Sequence, residues 1–351
     1  MRVSWKPVAV VSTALLILLS LLLLPACCCV KGPSAPVAAP KDEPPAIGNA
    51  PLVVPPEAEQ RGPTETQMQN VDFRVARTVT LKIHSLRGQM QSKQAGTPLN
   101  FDNKLTFVFR VDTGVIGLTP SSLDALMNEF VFNTKNSPLR NLHITIAGKQ
   151  LKQEGIIHKI VDLPFTMWAD VSVSQGSMRL HPTRIDICGV NGLGLLKALG
   201  QSLEKMIGKD LPHEHGVTAE GNDMLMDPSK MLPPPETELH LVDVRTDGEE
   251  LVQVFDAGRK LAPLAVPHAE EKSYMYFRGG TLRMGKLLMV DADMQVADTD
   301  ASDPLDFFLD RYNDQLVAGF TRNQPDYGLL VYMRDFDDVG KPVRPGERVA
   351  P

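Results

Sequence analysis

Alternation of apolar and polar residues is the feature that most constrains this chain. Between Val79 and His84 every second residue is branched and apolar, and the same alternation recurs with larger side chains from Leu105 to Val111. Successive side chains of a strand point to opposite faces of a sheet. The pattern therefore predicts strands with one buried and one solvated face, as in antiparallel sheets.

Three segments carry helical spacing instead. Thr119-Pro120 favours a helix start, with threonine as the N-cap and proline in the first turn. A second amphipathic helix is predicted from Leu193 to Ile207, and a third from Asp303-Pro304 onward. The apolar residues that share one face of the first helix are Leu123, Leu126, Met127, Phe130 and Val131. Those of the third are Leu305, Phe308, Leu309, Tyr312 and Leu316.

The order of these elements predicts an α+β fold. Four strand-like stretches separate the first two helices, and turns such as Ala147-Gly148-Lys149 predict that they form a meander of hairpins. Residues 71–256 are therefore predicted to form a helix-on-antiparallel-sheet domain. Residues 270–336 form a predicted small, β-rich α+β extension, either packed on this domain or continuing its sheet. Residues 337–351 are predicted to be a flexible tail.

The N-terminus has the pattern of an export signal. Arg2 and Lys6 precede an almost uninterrupted apolar run that ends at Leu24, near the lower length limit of a membrane-spanning helix. Leu24-Pro25-Ala26-Cys27 then resembles the bacterial lipoprotein signal, apart from its proline. We predict a signal sequence or signal anchor over residues 1–26 and lipid modification of Cys27. An uncleaved anchor with incidental cysteines is the alternative. Both place the protein outside the cytoplasm, attached to a membrane and facing the periplasm, and the pattern leaves open whether that is the inner or the outer membrane.

Residues 27–70 lack apolar periodicity and are rich in proline, which predicts a disordered tether that begins at the lipidation site. Cys27, Cys28 and Cys29 lie at its start, so only Cys188 belongs to the folded part. One thiol cannot form an internal disulfide. A hydrophobic core must therefore stabilise the domain.

Charge and motifs exclude several classes of function. The net charge of −6 argues against nucleic acid as a partner, because such binding needs a basic surface. The chain has neither a Gly-x-Ser-x-Gly elbow nor a Ser-x-x-Lys helix start. We therefore predict a protein that is not an enzyme.

The candidate metal ligands do not form a known pattern. His213-Glu214-His215 lacks the third and fourth ligands that a closed zinc site needs. The aspartates between Asp291 and Asp314 lack the glycine and the bidentate glutamate of an EF-hand loop. These aspartates are predicted to form a solvated face, with Asp303 as a helix N-cap, and neither a metal nor a cofactor is expected.

The succession of a helix, four strands and a helix resembles the tubular lipid-binding (TULIP) superfamily, and within it the LmeA-like bacterial envelope proteins. The resemblance spans about residues 71–255 and is carried by Gly117-Leu118-Thr119-Pro120, Leu163-Pro164-Phe165, Gly216-Val217, Glu220-Gly221-Asn222 and Asp227-Pro228. It implies a long, curved antiparallel sheet that wraps one or two amphipathic helices around an apolar tunnel. It also implies the binding or transfer of lipid, without shared catalytic residues.

The expected ligand is thus a lipid or another apolar molecule. The residues predicted to contact it are Leu123, Leu126, Met127, Phe130, Phe165 and Trp168. The competing interpretation is a filled core in an envelope scaffold or assembly lipoprotein that binds another envelope protein. A tunnel would favour the first, and a well-packed interior the second.

Overall fold

The computed structural model describes residues 62–158, 161–194, 200–259, 261–325 and 328–350. The predicted signal, Cys27 and most of the predicted tether lie outside the described residues. Strands account for 52% of the structure and helices for 14%, so the molecule is mostly β.

Nineteen strands are described, numbered in chain order. They are β1 Thr64–Ala76, β2 Val79–Ser92, β3 Leu99–Asn100, β4 Phe107–Leu118, β5 Leu139–Ala147, β6 Gln150–His158, β7 Asp162–Ser174, β8 Ser177–Ile187, β9 Val190–Asn191, β10 Val217–Glu220, β11 Asp223–Met226, β12 Glu236–Glu238, β13 Leu241–Thr246, β14 Leu251–Asp256, β15 Tyr274–Met284, β16 Leu287–Asp298, β17 Leu305–Phe308, β18 Phe320–Asn323 and β19 Leu329–Met333.

The helices of the described residues are short. Helix α1, Pro120–Ala125, continues as a π-helix over Leu126–Val131, and the two together form the longest helical segment with described bounds. The other α-helices are α2 Leu203–Ile207, α3 Pro228–Met231 and α4 Tyr312–Ala318, and single 3₁₀ turns lie at Gly208–Asp210, His213–His215 and Phe336–Asp338.

The strands form two sheets. Sheet A has the order β13-β14-β4-β2-β1-β15-β16-β19-β18, with β12 paired to β4, β17 to β1 and β3 to β15. Sheet B has the order β10-β11-β8-β7-β6-β5, with β9 paired to β8. The predicted meander is confirmed, since β5 to β8 pair in sequence order and all antiparallel.

The predicted fold class is wrong. The structure is not one curved sheet wrapped around amphipathic helices, because two large sheets and a few short helices make up the molecule. The 120–131 helix lies between the sheets, where its side chains contact strands of both. The physical reason is that the helix is too short to fill a tunnel, so a second sheet covers the remaining apolar surface.

Sheet A joins the first and last parts of the chain. One edge of β1 pairs antiparallel with β15 over Glu65–Gln69 and then parallel with β17 over Val71–Arg74. Asn70 lies at this junction with a φ of 51°, a left-handed conformation that asparagine tolerates better than most residues. The β-rich C-terminal segment therefore continues the main sheet, and β1 already begins at Thr64 within the predicted tether.

Two predicted helices differ from the structure. Leu305–Phe308 is the strand β17, whose four residues are all buried, so the third helix is reduced to α4 and Asp303 caps no helix. The second helix does not run unbroken to Ile207, because Gly200 lies in a turn with a φ of 65° and α2 begins at Leu203. The predicted start of the first helix is confirmed, since the Thr119 side chain accepts a hydrogen bond from the Ser122 backbone N–H at 3.3 Å.

Residues near the C-terminus, for which a flexible tail was predicted, contact the end of sheet A. The Glu347 carboxylate pairs with Arg334 at 2.9 Å, and both side chains are buried. The Arg348 backbone N–H donates to the Thr299 carbonyl at 2.9 Å.

Candidate functional site

The 120–131 helix is fixed to both sheets by hydrogen bonds from its side chains. The Ser122 hydroxyl accepts from the Thr80 backbone N–H of β2 in sheet A at 3.2 Å. The Asp124 carboxylate accepts from the Ile144 N–H of β5 at 2.5 Å. Asn128 accepts from the Leu142 N–H and donates to the Leu142 carbonyl, at 2.8 and 2.7 Å.

This arrangement follows from the position of β5. It is the edge strand of sheet B, and an edge strand leaves backbone donors and acceptors unpaired. A register shift between Arg140 and His143 bends it, with Asn141 in a left-handed conformation at a φ of 51°. Side chains of the helix form hydrogen bonds with backbone groups of this bent edge strand. These bonds hold the helix against sheet B.

Two small apolar cavities flank the helix. Cavity A, with a volume of about 30 Å³, lies towards sheet A. It is lined by Leu81, Ile116, Leu118, Leu123, Leu126, Met178, Pro228, Met231, Leu232, Leu239, Gln253 and Phe255. Cavity B, with a volume of about 20 Å³, lies towards sheet B. It is lined by Leu123, Met127, Phe132, Ile144, Leu151, Gln153, Met167, Ala169, Met178, Leu180, Met224 and Met226.

Leu123 and Met178 are shared by both cavities. These two side chains lie between the cavities, and because both are unbranched at the β-carbon their χ1 angle is less restricted than that of valine or isoleucine. Each cavity has room for about one or two water molecules, which is less than an acyl chain needs. A ligand would have to displace the shared side chains and join the two spaces.

Almost all side chains that line the two cavities are apolar. Among the described residues that line the two cavities none is titratable, and glutamine supplies the polar side chains, Gln253 in cavity A and Gln153 in cavity B. An arrangement of this kind can hold an apolar molecule and give its polar end one hydrogen-bonding partner. It contains no general acid, base or nucleophile.

Three of the six residues predicted to bind lipid line these cavities. Leu123 lines both, Leu126 lines cavity A and Met127 lines cavity B. Phe130 is partly buried against the core and Phe165 is buried within it, but neither lines a cavity.

The structure does not bring Trp168 to the cavities. In β7, Phe165, Met167 and Ala169 are buried, and Trp168 lies on the opposite face. Its ring is stacked by Arg184, whose Cζ is 4.6 Å from the ring centroid. Side chains of a strand alternate between faces, so residues 165 and 168 lie on opposite faces.

The six residues predicted to contact lipid do not include Met178, Met224 and Met226, although all three line cavity B. They lie on β8 and β11, which pair antiparallel with Met178 opposite Met226. The alternation Met178-x-Leu180 and Met224-x-Met226 was the available signal, because it marks the buried face of each strand.

No family model matches this chain, and neither a curated protein nor a solved structure is significantly similar to it. Among the residues that the structure describes, no helix is long and apolar enough to cross a membrane. The apolar run that ends at Leu24 lies outside that part of the chain, as does Cys27.

Proposed function

We propose that this protein is a membrane-anchored envelope protein that binds lipid, and that the acyl chain lies between the 120–131 helix and the two sheets. The observation that carries the proposal is the meeting of two apolar cavities at Leu123 and Met178. The proposal includes no catalytic step and no cofactor.

The energetics allow such a ligand to open the space that it fills. Burial of each methylene contributes about 0.8 kcal/mol, so a long acyl chain gains several kcal/mol against the cost of moving side chains. Methionine is the residue best suited to such repacking, because its side chain is unbranched and its thioether is polarisable. Cavity B is lined by five methionines: Met127, Met167, Met178, Met224 and Met226.

The proposed location of the protein rests on the pattern of its N-terminal residues. An apolar run followed by a candidate lipidation site at Cys27 would attach the domain to the membrane, beside a source of lipid. Export to the outer side of the cytoplasmic membrane is part of this proposal.

Replacement of Leu123 by asparagine tests the proposal. An amide placed between the two cavities costs about 1–3 kcal/mol when an apolar chain surrounds it, so we expect the affinity for lipid to fall about tenfold. The measurement is lipid extracted from the purified protein and quantified by mass spectrometry, per mole of folded protein.

The matched control is Leu282→Asn. Leu282 is as deeply buried as Leu123, at 1% and 3% exposed, but lies on β15 and lines neither cavity. Both variants should lose stability, and only Leu123→Asn should lose lipid. Equal lipid in both variants, or none in the unaltered protein, would contradict the proposal.

A second candidate is a scaffold or assembly lipoprotein that binds another envelope protein. The small size of both cavities favours it, because the interior is nearly filled as it stands. An open polar cleft of about 820 Å³ gives it a candidate contact surface, with Asn133, Lys135, Arg140 and His158 among its lining residues. Absence of lipid in the unaltered protein would leave this candidate in place.

A further inference from the structure

Three aspartates meet at one end of sheet A. Each of Asp298, Asp303 and Asp335 offers a carboxylate oxygen, and these oxygens lie within 4.8 Å of one another. β16 and β19 are parallel neighbours with Asp298 opposite Met333, so Asp335, two residues further on, reaches the same edge. The turn after β16 returns Asp303 to that edge, where the Ser273 hydroxyl donates to the Asp303 carbonyl at 2.9 Å.

Each of these three aspartates has one unpaired carboxylate oxygen. Asp298 Oδ2, Asp303 Oδ1 and Asp335 Oδ1 are buried, and within the described part of the chain they have no hydrogen-bond partner. Asp298 is only 2% exposed, and its other oxygen already accepts from the Asp300 backbone N–H at 2.7 Å. Burial of a carboxylate without an opposite charge or a hydrogen bond costs free energy. A cation bound between the three carboxylates would offset this cost.

Burial and charge repulsion act together here. Burial, and then the carboxylates of Asp335, Asp303 and Asp300, raise the pKa of Asp298 to about 9. Burial and its acidic neighbours raise the pKa of Asp335 to about 6, although Arg344 acts in the opposite direction. A bound cation would reverse this effect and keep all three groups ionised.

The nearby arginines surround the cluster without entering it. Arg344 Nη2 lies 3.3 Å from Asp335 Oδ2 and 2.9 Å from Asp338 Oδ2, and Asp335 Oδ1 has no partner among the described residues. Arg348 Nη1 donates to the backbone carbonyl of Asp298 and to Glu271. Neither guanidinium forms a hydrogen bond with the three unpaired oxygens.

We propose that Asp298, Asp303 and Asp335 bind a calcium ion. Carboxylate oxygens without histidine or cysteine select hard cations over zinc. Calcium binds oxygen at about 2.3–2.6 Å, so three carboxylate oxygens that lie within 4.8 Å of one another can contact one ion. Magnesium keeps several waters when bound, and the burial of Asp298 leaves little room for them.

The ion would tie the loop after β16 to the segment that follows β19. It would also stabilise the C-terminal residues, because Arg348 contacts Thr299 and Asp298 by backbone and side-chain hydrogen bonds. The expectation that the aspartates from Asp291 to Asp314 form a solvated face is wrong for Asp298 and Asp306, which are 2% and 5% exposed. This site is independent of the proposed lipid binding.

The test compares the melting temperature of the full-length protein in detergent after EDTA treatment, before and after addition of calcium. At a calcium concentration about one hundred times the dissociation constant, we expect a rise of about 5 °C and one bound ion per chain by isothermal titration calorimetry. Magnesium at the same concentration should give a smaller rise.

Asp298→Asn is the informative variant. Asparagine has the shape of a protonated aspartate, so the calcium-free variant should melt at or above the temperature of the calcium-free parent and should lose the response to calcium. Asp310→Asn is the control, because Asp310 is an exposed residue of the same acidic run, paired with Lys104; it should keep the response. The proposal is overturned if the parent neither binds calcium nor melts higher with it, if Asp298→Asn responds as the parent does, or if magnesium acts equally.

Discussion

Replacement of Phe307 by alanine is expected to lower the free energy of unfolding by about 4 kcal/mol, as for other large aromatic residues removed from cores. Phe307 is fully buried. Its ring stacks on Phe73 and Tyr312, with centroids 5.4 and 5.9 Å apart, and meets Phe101 edge-on at 6.3 Å. These rings belong to parts of the chain more than 200 residues apart, so the loss should affect the whole domain.

Urea denaturation followed by tryptophan fluorescence and by circular dichroism measures this effect. Both probes should report one transition at a lower midpoint, because β17 and β15 pair with β1 in a single sheet. Val317→Ala is the control, since Val317 is 88% exposed and its loss should change stability by less than about 0.5 kcal/mol. Two separate transitions would show instead that the C-terminal segment folds as an independent unit.

Replacement of Asn128 by alanine should cost about 3 kcal/mol. The side chain makes three hydrogen bonds, two to the Leu142 backbone and one to the Asp124 carbonyl. Its removal leaves the backbone N–H and carbonyl of Leu142 without these hydrogen bonds. An unpaired backbone group that is shielded from water costs about 1–3 kcal/mol. The measurement is again the urea midpoint, with proteolysis at the 120–131 helix as a local readout.

Asn133→Ala is the matched control for this change. Asn133 donates to the Glu129 carbonyl four residues earlier, as Asn128 does to Asp124, but it is exposed. A loss below about 1 kcal/mol is expected for Asn133. Similar losses in the two variants would mean that the contact with β5 contributes nothing, and that the helix is held by its apolar face alone.

The sequence predicted local structure where one face of an element is buried. Alternation identified β2, β4 and the meander of sheet B, because each of these strands has one solvated face. The start of the first helix was predictable from Thr119-Pro120, since capping depends on residues close in sequence. The division of apolar surface between two sheets was not predictable, because it depends on which strand faces pack together.

The segment Leu305–Phe308 shows why the prediction failed at the C-terminus. All four residues are buried, so alternation is absent, and the spacing of Leu305, Phe308 and Leu309 matches a helix by coincidence. The segment is a strand because it pairs with Val71–Arg74 of β1. A contact across more than 200 residues leaves no signal in the local pattern.

In the candidate sites too, residues were predictable where their position depends on neighbours in the sequence, and not where it depends on strand pairing. Leu123, Leu126 and Met127 were predictable from helical spacing, whereas Met224 and Met226 reach cavity B only through the pairing of β11 with β8. Asp298 and Asp335 are 37 positions apart in the sequence and meet because β16 and β19 run in parallel. A motif search with fixed spacing cannot find such a cluster.

The central claim, that an acyl chain lies between the helix and the two sheets, is tested most directly through the methionine methyl groups. The chain has 15 methionines, and carbon-13 labelling of their methyl groups allows each to be followed by NMR while palmitate is added. We predict that the signals of Met127, Met178 and Met226 shift and show cross-peaks to the chain methylenes of palmitate. Met275 and Met294, which are buried in sheet A and line neither cavity, should not change. Unchanged signals from the cavity methionines at saturating palmitate would contradict the account.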